Sequence, residues 1–252
     1  MKRFLCLLFV LLLFGKFFDC LAEISEFQKP WKNNNMAIVI DPYEENPINW
    51  EQLATDKRVA GIIHRATVGY RVDKKYFERR NEAKNRGYKW GSYHLGKPGD
   101  PIKQANFYLK TIESPKDEIL ALDIESLNPN ESMTLDDARV FINHIKEKIG
   151  RYPLLYGNRL VINAITEQYG KDGTFSKAPL WYARYKATVM DFPVGTWESY
   201  TFWQFSCEIN CNSKELENCL YLVPGTKSDM DINGFNGSVD DLRKNWHQIG
   251  KE

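Results

Sequence analysis

The chain reads as an α/β protein, and three observations carry that reading. Short apolar runs rich in β-branched and aromatic residues alternate with helical patterns of about 10–15 residues, the spacing of strand–helix–strand units around a mainly parallel sheet. No Gly/Ser-rich linker or internal repeat interrupts the chain. Its 252 residues also fit one barrel, since such folds commonly run to about 200–250 residues as a single domain. The predicted architecture is a single irregular TIM-like (β/α) barrel over residues 36–245.

The elements follow in order. Residues 37–40, Ala-Ile-Val-Ile, form a short buried strand, and 59–66 a second. A helical stretch over 74–86 leads to a third strand at 90–94, and a helix over 101–112 to a fourth at 118–124. The helix over 135–149 is the best marked. Thr134 is its candidate N-cap, and Asp136 and Asp137 suit the positive end of the helix dipole. Strands at 152–156, 179–185 and 200–205 complete the set, with a helix at 159–169 after the first of them. Helices thin out between the last strands, so the later strands are expected to be partly antiparallel.

Residues 1–22 read as a signal peptide. Met1-Lys2-Arg3 is basic, residues 4–14 are an unbroken apolar run, and Cys20 and Ala22 are small residues placed for cleavage after Ala22. The run falls well short of the roughly 20 residues that span a bilayer, and Lys16 blocks its extension. A secreted protein is therefore expected, with residues 23–35 as an N-terminal extension and no stable membrane insertion after cleavage. Cys207, Cys211 and Cys219 remain; in an oxidising compartment one pair should close a small loop and leave one thiol over. The sequence leaves the pairing open. No His lies in that segment to complete a zinc site.

Thirty-four basic against 33 acidic residues give a formal charge of +1, which offers no electrostatic footprint for nucleic acid. With 43% hydrophobic residues the chain is no disordered polyelectrolyte. The unusual quantity is the 13% aromatic content, which points to a stacking surface.

Chemistry in such barrels collects at the C-terminal ends of the strands. There Asp41 follows the apolar run 37–40, and Asp123 and Glu125 close the run 119–125. Residues i and i+2 of a strand share a face, about 6.5 Å apart. Two carboxylates on one face with no adjacent Lys or Arg are electrostatically costly, and a site that holds such a pair binds a cation or keeps one carboxyl protonated. An isolated Asp-x-Glu can equally be a solvated strand end.

This one is not isolated. Asp41 is followed by Ile48-Asn49-Trp50, and then come Arg65-Ala66-Thr67-Val68-Gly69, Gly91-Ser92-Tyr93-His94, Leu122-Asp123-Ile124-Glu125, Tyr156-Gly157, Leu180-Trp181-Tyr182-Ala183-Arg184-Tyr185, Trp203-Gln204-Phe205 and Asp231-Ile232-Asn233-Gly234-Phe235-Asn236-Gly237. In this order the segments resemble glycoside hydrolase family 25, the Chalaropsis-type lysozymes or N-acetylmuramidases. The resemblance spans about residues 36–237. It implies hydrolysis of the β-1,4 bond between N-acetylmuramic acid and N-acetylglucosamine in bacterial peptidoglycan, with no cofactor and no metal. By position it implies that Glu125 is the general acid, that Asp123 raises its pKa by like-charge repulsion, and that Asp41 and Asp231 orient substrate or stabilise positive charge.

The resemblance also gives the aromatic surplus a use, since sugar C–H faces pack on aromatic faces. Tyr93, Tyr156, Trp181, Tyr185 and Trp203 are the candidate sugar-binding residues, with core packing as the alternative for each. His94 and His64 read as buried barrel residues. Asp229-x-Asp231-x-Asn233-Gly234, with Asp240 at the twelfth position, matches much of a calcium loop, but Pro224-Gly225 excludes the incoming helix such a loop requires. The chain departs from the family pattern at Val39-Ile40-Asp41-Pro42-Tyr43, at Val68, and in the segment 206–228, which looks like an insertion able to form a lid or a wall. A monomer is expected. The alternatives are a non-catalytic glycan-binding barrel, which has no need of the Asp123–Glu125 pair, and a chitinase-like glycosidase, whose longer aspartate series is missing before Glu125.

Overall fold

A computed structural model describes residues 29–113, 117–171 and 173–251. The predicted signal peptide lies outside the described residues.

Eight strands close into a barrel: β1 (Met36–Ile40), β2 (Val59–Val68), β4 (Lys89–Leu95), β5 (Ile119–Ile124), β6 (Leu154–Asn158), β7 (Leu180–Ala183), β8 (Phe202–Ser206) and β9 (Ile232–Ser238). A two-residue strand, β3 (Arg71–Val72), pairs with the end of β2 as a hairpin outside the ring. From β1 through β8 every adjacent pair is parallel. Only β9 is antiparallel to both its neighbours, β8 and β1, and its insertion closes the ring. The expected antiparallel character is thus confined to the last strand.

The predicted helices form as α2 (Tyr76–Asn85), α3 (Pro101–Ile112), α4 (Leu135–Ile149) and α5 (Arg159–Tyr169), after a single turn, α1 (Trp50–Leu53). Thr134 caps α4 as expected, its side chain accepting from the Asp137 N–H, and Gly150 ends the helix at φ 80°, a conformation glycine adopts without a Cβ clash.

Strand alternation divides the core in two. Outward side chains such as Leu120, Leu122, Tyr182 and Trp203 pack under the helices. Inward side chains such as Ala37, Val39, Ala121, Leu154, Trp181 and Phe202 fill the barrel. Because both faces are buried, the strands read as continuous apolar runs rather than alternating ones. A last helix, α6 (Val239–Asn245), carries Leu242 and the following Trp246 under the N-terminal end of the barrel. Trp246 donates its indole N–H to Trp90 O at 2.8 Å and lies against Gly61, where a Cβ would stand 2.7 Å from its ring.

The sequence reading lacks β9 and α6. The stretch Ile-Asn-Gly-Phe-Asn-Gly-Ser carries two glycines and two asparagines, poor strand formers by propensity, and forms a strand because both neighbours supply hydrogen-bond ladders. The same strand removes the calcium-loop geometry, since residues 232–238 are extended.

Candidate active site

β9 runs against its neighbours, so its first residues lie at the same mouth as the last residues of the parallel strands. Asp231, preceding β9, therefore meets Asp41, following β1; the Asp41 N–H donates to Asp231 O at 3.2 Å. On β5, Ile119, Ala121 and Asp123 share the interior face, and Glu125 continues that series just beyond the strand. The four sequence-predicted acids are thus gathered at one end of the barrel.

The mouth holds a cavity of about 290 Å³. Its acids are Asp123, Glu125, Asp231 and Glu208, and its rings are Tyr43, Tyr93, Tyr156 and Tyr185, with Arg65, Leu95, Cys207 and Ile209 completing the lining. A larger surface groove of about 540 Å³ lies at the opposite end of the barrel near Lys57, Arg58 and Arg243, and Asp240 is its one acid.

Asp41 sits below the cavity. Its Oδ1 accepts from Asn233 Nδ2 at 2.5 Å and its Oδ2 from Gln204 Nε2 at 3.3 Å. Gln204 Oε1 in turn accepts from the Tyr156 hydroxyl at 2.6 Å, and Asn233 Oδ1 from the Trp181 indole at 2.6 Å. This chain fixes Tyr156 and Asp41 relative to each other through two neutral amides that sit opposite one another across β8 and β9. Asp123 is buried, and among the described residues its Oδ1 has no hydrogen-bond partner. Glu125 is exposed at the rim.

The acids are hard to ionise. Burial holds Asp41 and Asp123 well above the usual carboxylate range, aided by Asp231 for Asp41 and by Glu125 for Asp123. Asp231 is pushed up to about 8, by burial first and then by Glu208 and Glu125. Partial burial also raises Glu125, Lys97 and Arg65 pull it down, and Glu208 pushes it up. Asp123, the more deeply buried of the two, is raised by Glu125 after its own burial. Burial also lifts the phenols of Tyr93, Tyr156 and Tyr185, which keeps them neutral hydrogen-bonding groups.

Of the five candidate sugar-binding aromatics, Tyr93, Tyr156 and Tyr185 line the cavity. Trp181 lies a layer below, edge-on to Tyr156 with centroids 5.1 Å apart, and supports the floor. Trp203 points outward from β8, fully buried, its indole donating to Arg184 O at 2.7 Å. Strand parity explains this: its neighbours Phe202 and Gln204 take the interior face, so Trp203 cannot. His94 is buried in the outer layer, its ring stacked on Phe141 at 5.1 Å and bonded to Thr67 and Gln104; burial lowers its pKa to about 4. His64 accepts from Arg79 and is likewise lowered by burial, to about 3.

Sequence reasoning missed Glu208, Arg65, Gln204 and Asn233 as site residues. Arg65 forms one wall, with its guanidinium 4.6 Å from the Tyr43 ring centroid and bonded to Asp73 at 3.1 Å. The segment after β8 supplies another wall. Cys211 and Cys219 form a disulfide, and Cys207 is the free thiol, buried and neutral with its pKa raised to about 12.

Carboxyl groups crowded at the C-terminal mouth of a closed α/β barrel, beside tyrosines, define the class: a glycoside hydrolase. The chain belongs to the glycosyl hydrolases family 25, whose model matches residues 40–213. Asp231 lies beyond that match and reaches the site through β9. Among solved structures, a bacterial lysozyme from Streptomyces coelicolor superimposes with a TM-score of 0.68 at 23% identity, covering 86% of this chain and 100% of that one. A spore cortex lytic enzyme of Clostridium perfringens gives 0.66 at 24%, covering 83% and 70%, and a muramidase from Trichobolus zukalii 0.64 at 23%, covering 84% and 99%. At such identities the likeness is one of fold. No curated protein matches the chain in sequence.

Proposed function

We propose that this glycoside hydrolase is a secreted lysozyme that cleaves the β-1,4 bond between N-acetylmuramic acid and N-acetylglucosamine in bacterial peptidoglycan, with Glu125 as general acid. The observation that carries the reading is the contrast within the acid cluster. Glu125 is the member at the open rim with a raised pKa, while Asp123 and Asp41 are enclosed behind it.

Glycoside cleavage needs a proton on the leaving oxygen and negative charge near the developing oxocarbenium carbon. Glu125 at the rim supplies the proton. Asp41 and Asp231 lie close enough to titrate together, so whatever negative charge they carry beside the reacting ring is shared between them rather than belonging to one residue. Asn233 and Gln204 hold Asp41 by donating to it, which favours its ionised form. Neutral Tyr93, Tyr156 and Tyr185 offer hydroxyls and ring faces to sugars. The muramyl substrate is supported by the segment resemblance and by the lysozyme and muramidase among the structural neighbours. Export is supported by residues 1–22 and by the Cys211–Cys219 disulfide, which suits an oxidising compartment. The near-neutral chain works as a monomer with little long-range attraction to anionic walls.

Turbidity clearing of bacterial walls tests this. Glu125→Gln should lose about 10²- to 10⁴-fold in rate, the span of general acid catalysis. Equal clearing by both proteins removes the assigned role. Wall binding without clearing by either favours a glycan-binding barrel. Products should end in N-acetylmuramic acid; N-acetylglucosamine at the new reducing end refutes the muramidase.

A further inference from the structure

The chain leaves the barrel at Cys207, passes through the Cys211–Cys219 disulfide and returns at Asp231. Its first turn presses Glu208 and Ile209 against the cavity. That turn is fixed: the Cys211 N–H donates to Cys207 O at 2.9 Å, and the Asn210 side chain accepts from the Cys207 N–H at 3.0 Å and donates to Phe205 O at 2.9 Å. Glu208 is exposed, and among the described residues its carboxylate makes no hydrogen bond or ion pair.

The charges of the cavity do not balance. Its one cation, Arg65, is already engaged by Asp73 at 3.1 Å and Glu44 at 3.7 Å; the buried Asp123 and Asp231 hold protons, which leaves the exposed Glu208 without a cationic partner among the described residues. Lys97 acts from outside the lining, its ammonium donating to Glu131 O at 3.3 Å. Asp123 Oδ1, buried at the cavity wall, has no hydrogen-bond partner among the described residues.

We propose that Glu208 determines specificity by receiving a primary ammonium group of the substrate, so that the enzyme prefers wall glycan bearing free amines over the fully N-acetylated polymer. The inference rests on the muramidase reading. An ammonium supplies the cation that Glu208 lacks, whereas an acetamido group brings an N–H but no charge. Ile209, 72% exposed at the same lip, offers apolar contact to the carbons that carry the amine. Two sources present this chemistry: a de-N-acetylated glucosamine in the glycan, and the side-chain amine of a diamino acid in the stem peptide.

The test compares initial rates on peptidoglycan containing free amines and on the same material N-acetylated with acetic anhydride, for wild type, Glu208→Gln and Glu208→Asp. Acetylation should slow the wild type roughly two- to fivefold, the worth of a partly solvated charge pair. Glu208→Asp should keep most of that ratio, and in Glu208→Gln it should fall to about one. Repeating the pair on glycan freed of stem peptides by an amidase locates the amine: a ratio that persists assigns it to the sugar, and one that disappears assigns it to the peptide. A Glu208→Gln ratio equal to that of an active wild type overturns the Glu208 assignment alone. A wild type as inactive as Glu125→Gln on every substrate overturns the muramidase reading and this inference with it.

Discussion

The two ends of the barrel are made from the same strands and solve opposite problems. At the N-terminal end, Trp246, Leu242 and Phe202 fill the interior; Trp246 is fully buried, its indole is paired with Trp90 O, and Gly61 gives it room. At the C-terminal end, carboxyl groups are held above their ordinary pKa, and among the described residues Asp123 Oδ1 has no hydrogen-bond partner and Glu208 no ion pair. β5 shows the transition along one face: Ile119 and Ala121, then Asp123 and Glu125. Burial that stabilises apolar side chains at one end disfavours the ionised form of carboxyls at the other.

Breaking the closed end should have the largest effect on stability. Trp246→Ala leaves a cavity under Gly61 and Phe202 and should cost about 3–5 kcal/mol, lowering the thermal midpoint by roughly 10 °C. The pH profile of the remaining folded enzyme should keep its shape. A midpoint within about 2 °C of wild type would show that the plug holds nothing.

Relieving the open end should act in the other direction and by less. Asp231 keeps its proton in the folded protein up to about pH 8, whereas an unfolded aspartate releases it near about 4. Between these values the folded state binds more protons, so this group's contribution to stability is full below about pH 4 and is lost as pH rises towards 8. Asp231→Asn should flatten the fall in thermal midpoint across that window, gaining a few degrees at pH 8 and little at pH 4. A variant whose midpoint declines with pH as steeply as wild type would remove Asp231 as the source.

The smallest effect concerns the boundary between the layers. Trp203→Phe keeps an outward ring and loses the hydrogen bond to Arg184 O, for about 1–2 kcal/mol of stability. Its kcat/KM on walls should stay within about twofold of wild type, since a group that meets no substrate contributes nothing to transition-state binding. A larger loss in KM would place Trp203 in contact with sugar after all.

What could be read from sequence divides along physical lines. The helix from Leu135 was legible because its cap, Thr134, and its acids are local signals. Asp123 and Glu125 were legible because charge at the end of an apolar run is conspicuous. The face of Trp203 was not, because strands buried on both sides carry no alternation to read. Gln204 and Asn233 are neutral amides whose work depends on being opposite each other across a strand pair 29 residues apart in sequence. Glu208 lies in a segment without periodicity, and only the disulfide-bounded turn brings it to the cavity.

One hydrogen bond ties the beginning of the barrel to its end. Asn233 reaches Asp41 across a sequence separation of 192 residues. A ribosome releases Asp41 early, and that carboxyl waits through nearly the whole of translation for the amide that holds it. No chain that stops short of residue 233 can hold the finished cluster of acids, and closure between the first and last strands carries the loop-entropy cost of contacts far apart in sequence. The acid cluster is complete only when the last strand has closed the barrel.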